Sequence, residues 1–294
     1  ATSRRWTAAS QRWAAASRWW AATSRWWAMK NLNYQKILGK MLRQMQGIGL
    51  AQMDTIQLLN RHDIKFVFEQ GKLLPLLICL SRHYRILEVE GQRSFKYNTL
   101  YFDTPDFFLY RQHHNGKKNR YKVRVRRYLD SGEIFLEVKF KSNKGKTQKT
   151  RKLIAEVPYV LDAPAYQEVL KPMGRDLEIG VRNFIPTLWT NFRRITLANP
   201  EDGERVTIDL DLCFKSEITG GKVEKKCGLV IAELKREKAA QPSEFQVVAK
   251  KLGILPSGMS KYCLAVGLLN PDIKSNEFKT RIRSYLNSDV EKVS

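Results

Sequence analysis

The sequence predicts an α+β fold in which about eight antiparallel strands form a closed barrel with helices outside it. Four stretches alternate basic and apolar residues with the period of two that β-strands show, and they lie at residues 120–126, 135–141, 149–151 and 229–235. Asp130-Ser131-Gly132 has the composition of a hairpin turn between the first two stretches. Few breaks separate the expected strands along the chain. This favours a closed barrel, because closure removes exposed sheet edges.

The charge on these strands indicates the kind of ligand that a barrel of this type would hold. In the first stretch Lys122, Arg124 and Arg126 share one face, whereas Val123 and Val125 share the other. Several such strands around a common centre would concentrate positive charge where water solvates it poorly, and this is costly unless a polyanion occupies the centre. The sequence therefore predicts an enclosed site for phosphate chains.

The remaining elements follow from periodicity and from helix-start and turn residues. Further strands are expected at residues 61–68, 97–102, 193–197 and 205–213. Helices are expected at residues 70–83, 163–170, 242–252 and 260–268.

The first 28 residues differ in composition from the rest of the chain. Residues 1–28 contain only Ala, Thr, Ser, Arg, Trp and Gln, and Arg-Trp recurs in them about every seven residues. One interpretation is an interfacial helix on anionic lipid. The favoured one is an artificial or atypical leader that takes no part in the fold, because Met29 resembles a natural start.

Three further regions follow the leader. Residues 29–60 are expected to form a helical segment that breaks near Gly47-Ile48-Gly49, with apolar residues at helical spacing serving as packing surface. Residues 61–270 are expected to form the strand-rich domain, and residues 271–294 a C-terminal tail.

Overall composition narrows the partners and the compartment. The chain of 294 residues carries 52 Lys and Arg against 29 Asp and Glu, a formal charge of +23, which favours nucleic acid, polyphosphate, nucleotide or an anionic membrane surface as partner. Its four cysteines form no close pair, so zinc ligation and a disulfide framework are not expected. No apolar run approaches the roughly 20 residues of a spanning helix, so we expect a cytoplasmic protein that reaches a membrane only through a partner.

Six motifs resemble the VTC domain, which is the polyphosphate polymerase domain of vacuolar transporter chaperone complexes and their bacterial relatives. The motifs follow one another along the chain in an order that fits that family. That domain belongs to the triphosphate tunnel metalloenzyme superfamily. The resemblance extends over residues 61–270 and is nearest to bacterial members, which carry the His-His-Asn-Gly segment. The motifs lie at residues 100–105, 113–116, 119–126, 135–139, 232–235 and 256–262.

The resemblance implies an eight-stranded antiparallel tunnel with flanking helices, and it implies roles for individual residues. The catalytic residues that we expect to contact phosphate are Lys65, Arg124, Arg126, Lys139, Arg194 and Lys261. Further phosphate-binding residues, some suggested only by strand register, are Lys122, Lys149, Arg151, Arg205, Lys235 and Ser260.

A divalent metal ion, Mn²⁺ or Mg²⁺, is the expected cofactor. Glu233 resembles the family's metal-holding carboxylate, and Glu137 is a second candidate ligand. A Glu two residues before a Lys on a strand is most often a cross-strand ion-pair residue, and for Glu137 taken alone we favour that alternative. For Asp209 and Asp211, a metal-ligand role and a cross-strand ion-pair role are about equally favoured.

Two departures from the family pattern affect the function. Gly258 stands where some eukaryotic members have a lysine, which weakens the case for phosphate contact there. Hydrolase branches of the superfamily begin with Glu-x-Glu-x-Lys, whereas this chain has Arg61, Asp63 and Lys65. Loss of an outer glutamate removes a potential metal ligand and favours a polymerase over a hydrolase.

The expected function is that of a phosphotransferase, a metal-dependent enzyme that transfers the terminal phosphate of ATP to a growing polyphosphate. Alternatives are a tripolyphosphatase or nucleoside triphosphatase of the same fold, and a polyphosphate-binding module without catalysis. Nucleic acid is a weaker candidate because no recognised nucleic-acid module is present. The resemblance also implies that a separate membrane-protein subunit could accept the product, with residues 29–60 and the tail after Pro271 as docking surfaces.

Overall fold

The computed structural model describes residues 33–54, 61–144, 147–161, 184–237, 243–276 and 278. The leader 1–28, the helix expected at residues 163–170 and most of the tail 271–294 lie outside these residues. The chain divides into two compact units, residues 1–46 and 47–294. The described part of the first unit consists mainly of one helix, α1, at residues 33–44.

The second unit contains the sheet. Its strands are β1 Gly47–Ile48, β2 Arg61–Glu69, β3 Arg85–Leu87, β4 Phe95–Asp103, β5 Arg120–Tyr128, β6 Ile134–Lys141, β7 Thr147–Ile154, β8 Ile185–Asn199, β9 Glu204–Ser216, β10 Glu224–Cys227 and β11 Leu229–Glu237. Its helices are α2 Leu50–Asp54, α3 Leu73–Leu80 after a 3₁₀ turn at Gln70–Lys72, α4 Phe108–His114, α5 Glu244–Lys251 and α6 Lys261–Leu269. The helix break expected near Gly47 is present and contains β1.

Eight strands form one continuous antiparallel sheet. Their order is β2-β11-β9-β8-β4-β5-β6-β7, with β3 attached to β8 and β10 attached to β9. The predicted eight-stranded antiparallel fold is therefore confirmed. Within the described ranges no ladder joins β7 to β2, so the sheet curls as a half-barrel with two end strands instead of closing completely.

Alternation along the strands separates an apolar outer face from a charged inner face. On β5, Tyr121, Val123 and Val125 are buried with Leu136 and Val138 of β6 in one hydrophobic cluster. Because successive side chains point to opposite faces, the basic residues of β5 face the other way, into the concave side of the sheet.

A second hydrophobic cluster places α6 against the sheet. The helix is apolar over most of its surface, and Cys263, Leu264, Ala265 and Val266 are fully buried. Its first turn is capped by Ser260, whose hydroxyl accepts a hydrogen bond from the backbone N–H of Cys263. Burial of α6 therefore fixes its first residue, Lys261, and its N-cap, Ser260, relative to the concave face.

Asp103 connects α4 and α6 to the end of β4. Its buried carboxylate accepts hydrogen bonds from the backbone N–H groups of Leu109 and Tyr110, at 2.8 and 2.9 Å, and from the Tyr262 hydroxyl at 2.5 Å. One buried carboxylate satisfies amide groups that the first turn of a helix leaves without intrahelical partners.

No helix in the described ranges is both long enough and apolar enough to cross a lipid bilayer.

Candidate active site

All eight strands of the curled sheet contribute to the lining of one cavity of about 450 Å³. An adjoining cavity of about 470 Å³ shares Lys65, Lys122 and Lys139 with it. The described lining of the first cavity includes ten basic and three acidic side chains, so its formal charge is strongly positive. One lining residue from each strand, in sheet order from β2 to β7, is Lys65, Glu233, Asp209, Arg194, Tyr101, Arg124, Lys139 and Lys149.

The cavity brings together most of the residues expected to bind phosphate. Two expected site residues are not among those that line it. Glu137 is buried, and Arg151 is exposed, with its guanidinium carbon 4.9 Å from the centre of the Phe135 ring. The expected residues that line the cavity are Lys65, Lys122, Arg124, Arg126, Lys139, Lys149, Arg194, Arg205, Glu233, Lys235, Ser260 and Lys261.

Glu137 lies between two basic side chains. It accepts a hydrogen bond of 2.7 Å from Arg124 Nε and forms an ion pair with Lys149, and its side chain is only 1% exposed. Burial alone would raise the pKa of Glu137, but Arg124 and Arg126 lower it to about 2. This arrangement matches the cross-strand ion-pair interpretation of Glu137.

Asp209 has the same kind of environment on the opposite wall. Arg194 donates two hydrogen bonds to its carboxylate, at 2.6 and 2.8 Å, and Lys261 forms a further ion pair with it. Burial opposes ionisation of Asp209, yet Arg194 and Lys261 hold its pKa well below the usual range. The carboxylate fixes Arg194 and Lys261 in the cavity wall.

Arg126 is a buried guanidinium without a matching carboxylate in direct contact. Its Nε has no hydrogen-bond partner among the described residues, and its guanidinium carbon lies 5.6 Å from the centre of the Tyr97 ring. Burial, together with Arg124 and Arg194, lowers the pKa of Arg126. An unpaired polar group at a buried site is costly, so the site is suited to an anion that supplies the missing acceptor.

Lys122 is in a comparable situation. No ion pair to this lysine occurs in the described part of the chain. Burial lowers the pKa of Lys122 to about 7, and the nearby ammonium groups of Lys65 and Lys139 contribute to the shift. A phosphate chain between these groups would restore the full charge of the lysine.

The VTC domain family model matches residues 60–270, which is well over half of the chain. The chain belongs to the VTC domain family. Together with the curled eight-stranded sheet, this membership makes it a triphosphate-tunnel protein. No curated protein matches the sequence.

The solved structures that match this VTC domain share little sequence with it. A putative adenylate cyclase from Bacillus halodurans is 15% identical, with 69% of this chain and 96% of that chain covered and a TM-score of 0.42. A putative adenylyl cyclase from Hippeastrum, described as having a dominant triphosphatase activity, is 16% identical, with 69% and 93% covered and a TM-score of 0.40. A putative adenylate cyclase from Vibrio parahaemolyticus is 13% identical, with 69% of this chain and 96% of that chain covered and a TM-score of 0.39. At these values the likeness supports no functional conclusion.

Glu233 is a more accessible carboxylate of this VTC domain than Glu137 or Asp209. Its side chain is 22% exposed, compared with 1% for Glu137 and 3% for Asp209, and it lines the cavity. It contacts Lys65 at 3.3 Å and forms an ion pair with Lys235. No group of three His, Cys, Asp or Glu that could hold a metal ion occurs among the residues the structure describes. Glu233 therefore fits a cation that takes most of its ligands from phosphate and water.

The cavities of the VTC domain also contain residues that were not expected from the sequence, among them three with basic or imidazole side chains. Arg120, Lys141 and His113 line the adjoining cavity. Burial, Lys122 and Arg120 lower the pKa of His113 to about 2, so its imidazole is neutral at physiological pH. Alternation along the strands could have found two of them, because Arg120 shares a face of β5 with Lys122 and Lys141 shares a face of β6 with Lys139. His113 enters through α4, and no local sequence pattern predicts that approach.

Proposed function

We propose that this VTC domain is a metal-dependent polyphosphate polymerase that transfers the terminal phosphate of ATP to a growing polyphosphate chain. The observation that carries the proposal is the concave wall of basic side chains, above all Arg126 and Lys122, which form no ion pair with a carboxylate among the described residues. A chain of phosphate groups matches these charges along the length of the cavity.

Two adjoining cavities suit a reaction with a donor and an acceptor. The inward residues of β5 form a row that passes from Arg120 in one cavity through Lys122, which both share, to Arg126 in the other. Neighbours in this row are separated by two residues, or about 6.6 Å of strand. A linear polyanion can therefore contact the row in both cavities, with the donor triphosphate at one end and the acceptor chain at the other.

The proposed reaction needs little covalent participation from the protein. A terminal oxygen of the polyphosphate attacks the γ-phosphorus of ATP, and the bond from that phosphorus to the bridging β–γ oxygen breaks. The polyphosphate gains one phosphate, and ADP leaves with the bridging oxygen. Arg124, Arg126, Arg194 and Lys261 orient the phosphates and neutralise charge on their oxygens. A divalent cation held by Glu233 and phosphate oxygens would supply further neutralisation when bound.

The ion pairs of the inner carboxylates favour transfer to phosphate over transfer to water. Hydrolysis gains from a general base with a pKa near the working pH, whereas the basic neighbours of Glu137 and Asp209 lower the pKa of both groups. A polyphosphate terminus is already anionic and needs no deprotonation. The geometry thus supports a polymerase more than the alternative triphosphatase.

Incubation with ATP and Mn²⁺ or Mg²⁺, followed by gel analysis with a polyphosphate-binding dye, tests the proposal. We expect polyphosphate and ADP. Free phosphate as the only new product would replace the proposal with a tripolyphosphatase or nucleoside triphosphatase. Tight binding of polyphosphate without turnover of ATP would indicate a binding module. The membrane-protein subunit expected to accept the product is a separate hypothesis, tested by co-purification from native membranes.

A further inference from the structure

One rim of the cavity carries aromatic side chains in place of the basic residues found deeper inside. At this rim Tyr128 lies at the end of β5, with its ring centre 5.0 Å from that of Tyr97 and 5.7 Å from that of Phe135. Arg151 covers the Phe135 ring at 4.9 Å, and both Phe135 and Tyr128 are half-buried. The rim therefore presents aromatic rings in different orientations, tilted by 58° between Tyr97 and Tyr128 and by 81° between Tyr128 and Phe135, with a guanidinium group above one of them.

Strand register shows that these side chains belong to the inner face. Phe135 pairs with Arg126, which lines the cavity, and Arg151 pairs with Glu137, which bonds to the inward-facing Arg124. Leu153 pairs with Phe135, and this leucine is 60% exposed, which is unusual for an aliphatic side chain beside a charged cavity. The face that is basic in the interior becomes aromatic and aliphatic at the rim.

The change in chemistry follows a single direction along two neighbouring strands. On β6 the inner face runs from Phe135 at the rim to Lys139 in the interior, and on β7 it runs from Leu153 through Arg151 to Lys149. Four residues of strand separate Phe135 from Lys139, which is about 13 Å. A ligand with a flat apolar head and an extended anionic tail matches both the order and the scale of these groups.

The opposite end of the tunnel has a different character. The adjoining cavity is lined by Arg120, Lys141 and Lys122, and its described lining contains no aromatic ring apart from His113. That end suits an inorganic phosphate chain. The two ends are thus chemically distinct, and among the described residues the end at Phe135 is the one of the two that offers phenyl and phenol rings for stacking.

We propose that Tyr128, Phe135 and Arg151 form the site that holds the base of a nucleoside triphosphate, while its phosphates extend inward to Arg126 and beyond. This inference rests on the proposed function, since it assigns the nucleotide donor to one end of the same tunnel. Base stacking on aromatic and guanidinium planes supplies the affinity. The role of Arg151 is accordingly to contact the base, in place of the phosphate contact expected from the sequence.

Binding measurements on the full chain separate a base contact from a phosphate contact. The probes are the β,γ-imido analogue of ATP and inorganic tripolyphosphate, each titrated by calorimetry with the same divalent metal. For Phe135→Leu, which keeps an apolar side chain but removes the aromatic face, we expect binding of the ATP analogue to weaken on the order of 10-fold. Binding of tripolyphosphate should change less than about 2-fold, which also shows that the variant is folded.

Arg151→Gln provides a second test, with Lys152→Gln as its control. Lys152 is the next residue on β7 and carries the same charge, but alternation places it on the opposite face. We expect the first variant to weaken the ATP analogue more than tripolyphosphate, and the control to affect neither. Equal weakening of both ligands by the Phe135 and Arg151 variants, or no weakening of the analogue, would overturn the proposal.

The outcome does not depend on whether the wild type makes polyphosphate. A wild type that binds the ATP analogue but forms no polyphosphate would contradict the proposed function alone, and the comparison of the two ligands would still decide the base site. Conversely, polyphosphate synthesis with unaltered nucleotide binding in both variants would leave the polymerase in place and remove the base site.

Discussion

Lys122 on β5 lies directly opposite Lys139 on β6, and both side chains line the cavity. Like charges that face each other across a strand pair destabilise a sheet. The next partner of Lys139 across the sheet is Lys149, so a row of three lysines crosses three neighbouring strands. This row is unfavourable in the ligand-free protein and becomes favourable when phosphate lies over it.

The first prediction concerns Lys122→Met. Removal of the charge should raise the free energy of unfolding of the ligand-free protein by about 1 kcal/mol, because a buried cation is replaced by an apolar side chain of similar length. The same change should weaken tripolyphosphate binding about 10-fold, since a charge-assisted hydrogen bond is lost. Chemical denaturation and calorimetry measure the two effects.

Lys118→Met is the matched control, because Lys118 is exposed and its substitution removes the same charge. Its effect on stability should stay within about 0.5 kcal/mol. A Lys122 variant that is less stable than the wild type would show that the lysine supports the fold without ligand.

The second prediction is a pH dependence that arises from the same lysine. Burial and neighbouring ammonium groups lower the pKa of Lys122 to about 7, and burial lowers that of Lys261 to about 8. In the unfolded chain both lysines have a pKa of about 10.4. At pH values between the folded and unfolded pKa, the unfolded state therefore binds more protons than the folded state. The stability contributed by these groups should therefore rise as pH increases from about 7 toward 10.

Ligand binding should show the opposite trend. Tripolyphosphate favours the protonated lysines, so binding at pH 8 should be accompanied by proton uptake and should weaken as pH rises to 9. Calorimetry in buffers with different ionisation enthalpies measures the uptake. Lys122→Met should reduce it, and an unchanged uptake in that variant would assign the protons to other groups.

The third prediction compares two adjacent arginines on β5. Arg126 is buried in the cavity wall, whereas Arg127 is exposed and points away from it. Arg126→Gln should lower the rate of polyphosphate formation roughly 10²-fold, as expected for loss of a preorganised donor to a reacting phosphate. Arg127→Gln removes the same charge and should change the rate less than about 2-fold. Similar rates for the two variants would mean that only the overall charge of the protein matters.

The fourth prediction separates the two glutamates that were candidates for metal ligation. Glu233→Gln should raise the Mn²⁺ concentration needed for half-maximal activity at least about 10-fold. Glu137→Gln should leave that concentration unchanged but should cost about 3 kcal/mol of stability, because it leaves Arg124 and Lys149 without their buried partner. Metal titrations of activity and chemical denaturation distinguish the two results. The reverse pattern would exchange the proposed roles.

The sequence predicted the residues whose placement depends on local periodicity. Alternation of basic and apolar residues in β5 and β6 placed Lys122, Arg124, Arg126 and Lys139 on one face, and all four line the cavity. The helix expected at residues 242–252 is present as Glu244–Lys251, and a capping box at Ser243 accounts for its start.

Long-range pairing limited the rest of the sequence prediction. The two partners of Asp209, Arg194 on β8 and Lys261 at the start of α6, come from other elements, so no local pattern could show that this carboxylate is neutralised. Arg151 was placed on the correct face by alternation, but its depth along the tunnel depends on strand register and on Phe135. Strand β10 is only four residues long and is held by β9, which is why its own sequence did not predict it.

The pairing of β2 with β11 has a consequence for synthesis of the protein. These strands come from opposite ends of the domain, residues 61–69 and 229–237, yet Lys65 and Glu233 meet as direct partners in the ladder. A ribosome must therefore release almost the entire domain before this wall of the tunnel can exist, and loop closure over such a distance slows folding. Nascent chains and proteolytic fragments that lack the last strand would carry many basic residues but no complete cavity, so the proposed phosphotransfer should be confined to completed molecules.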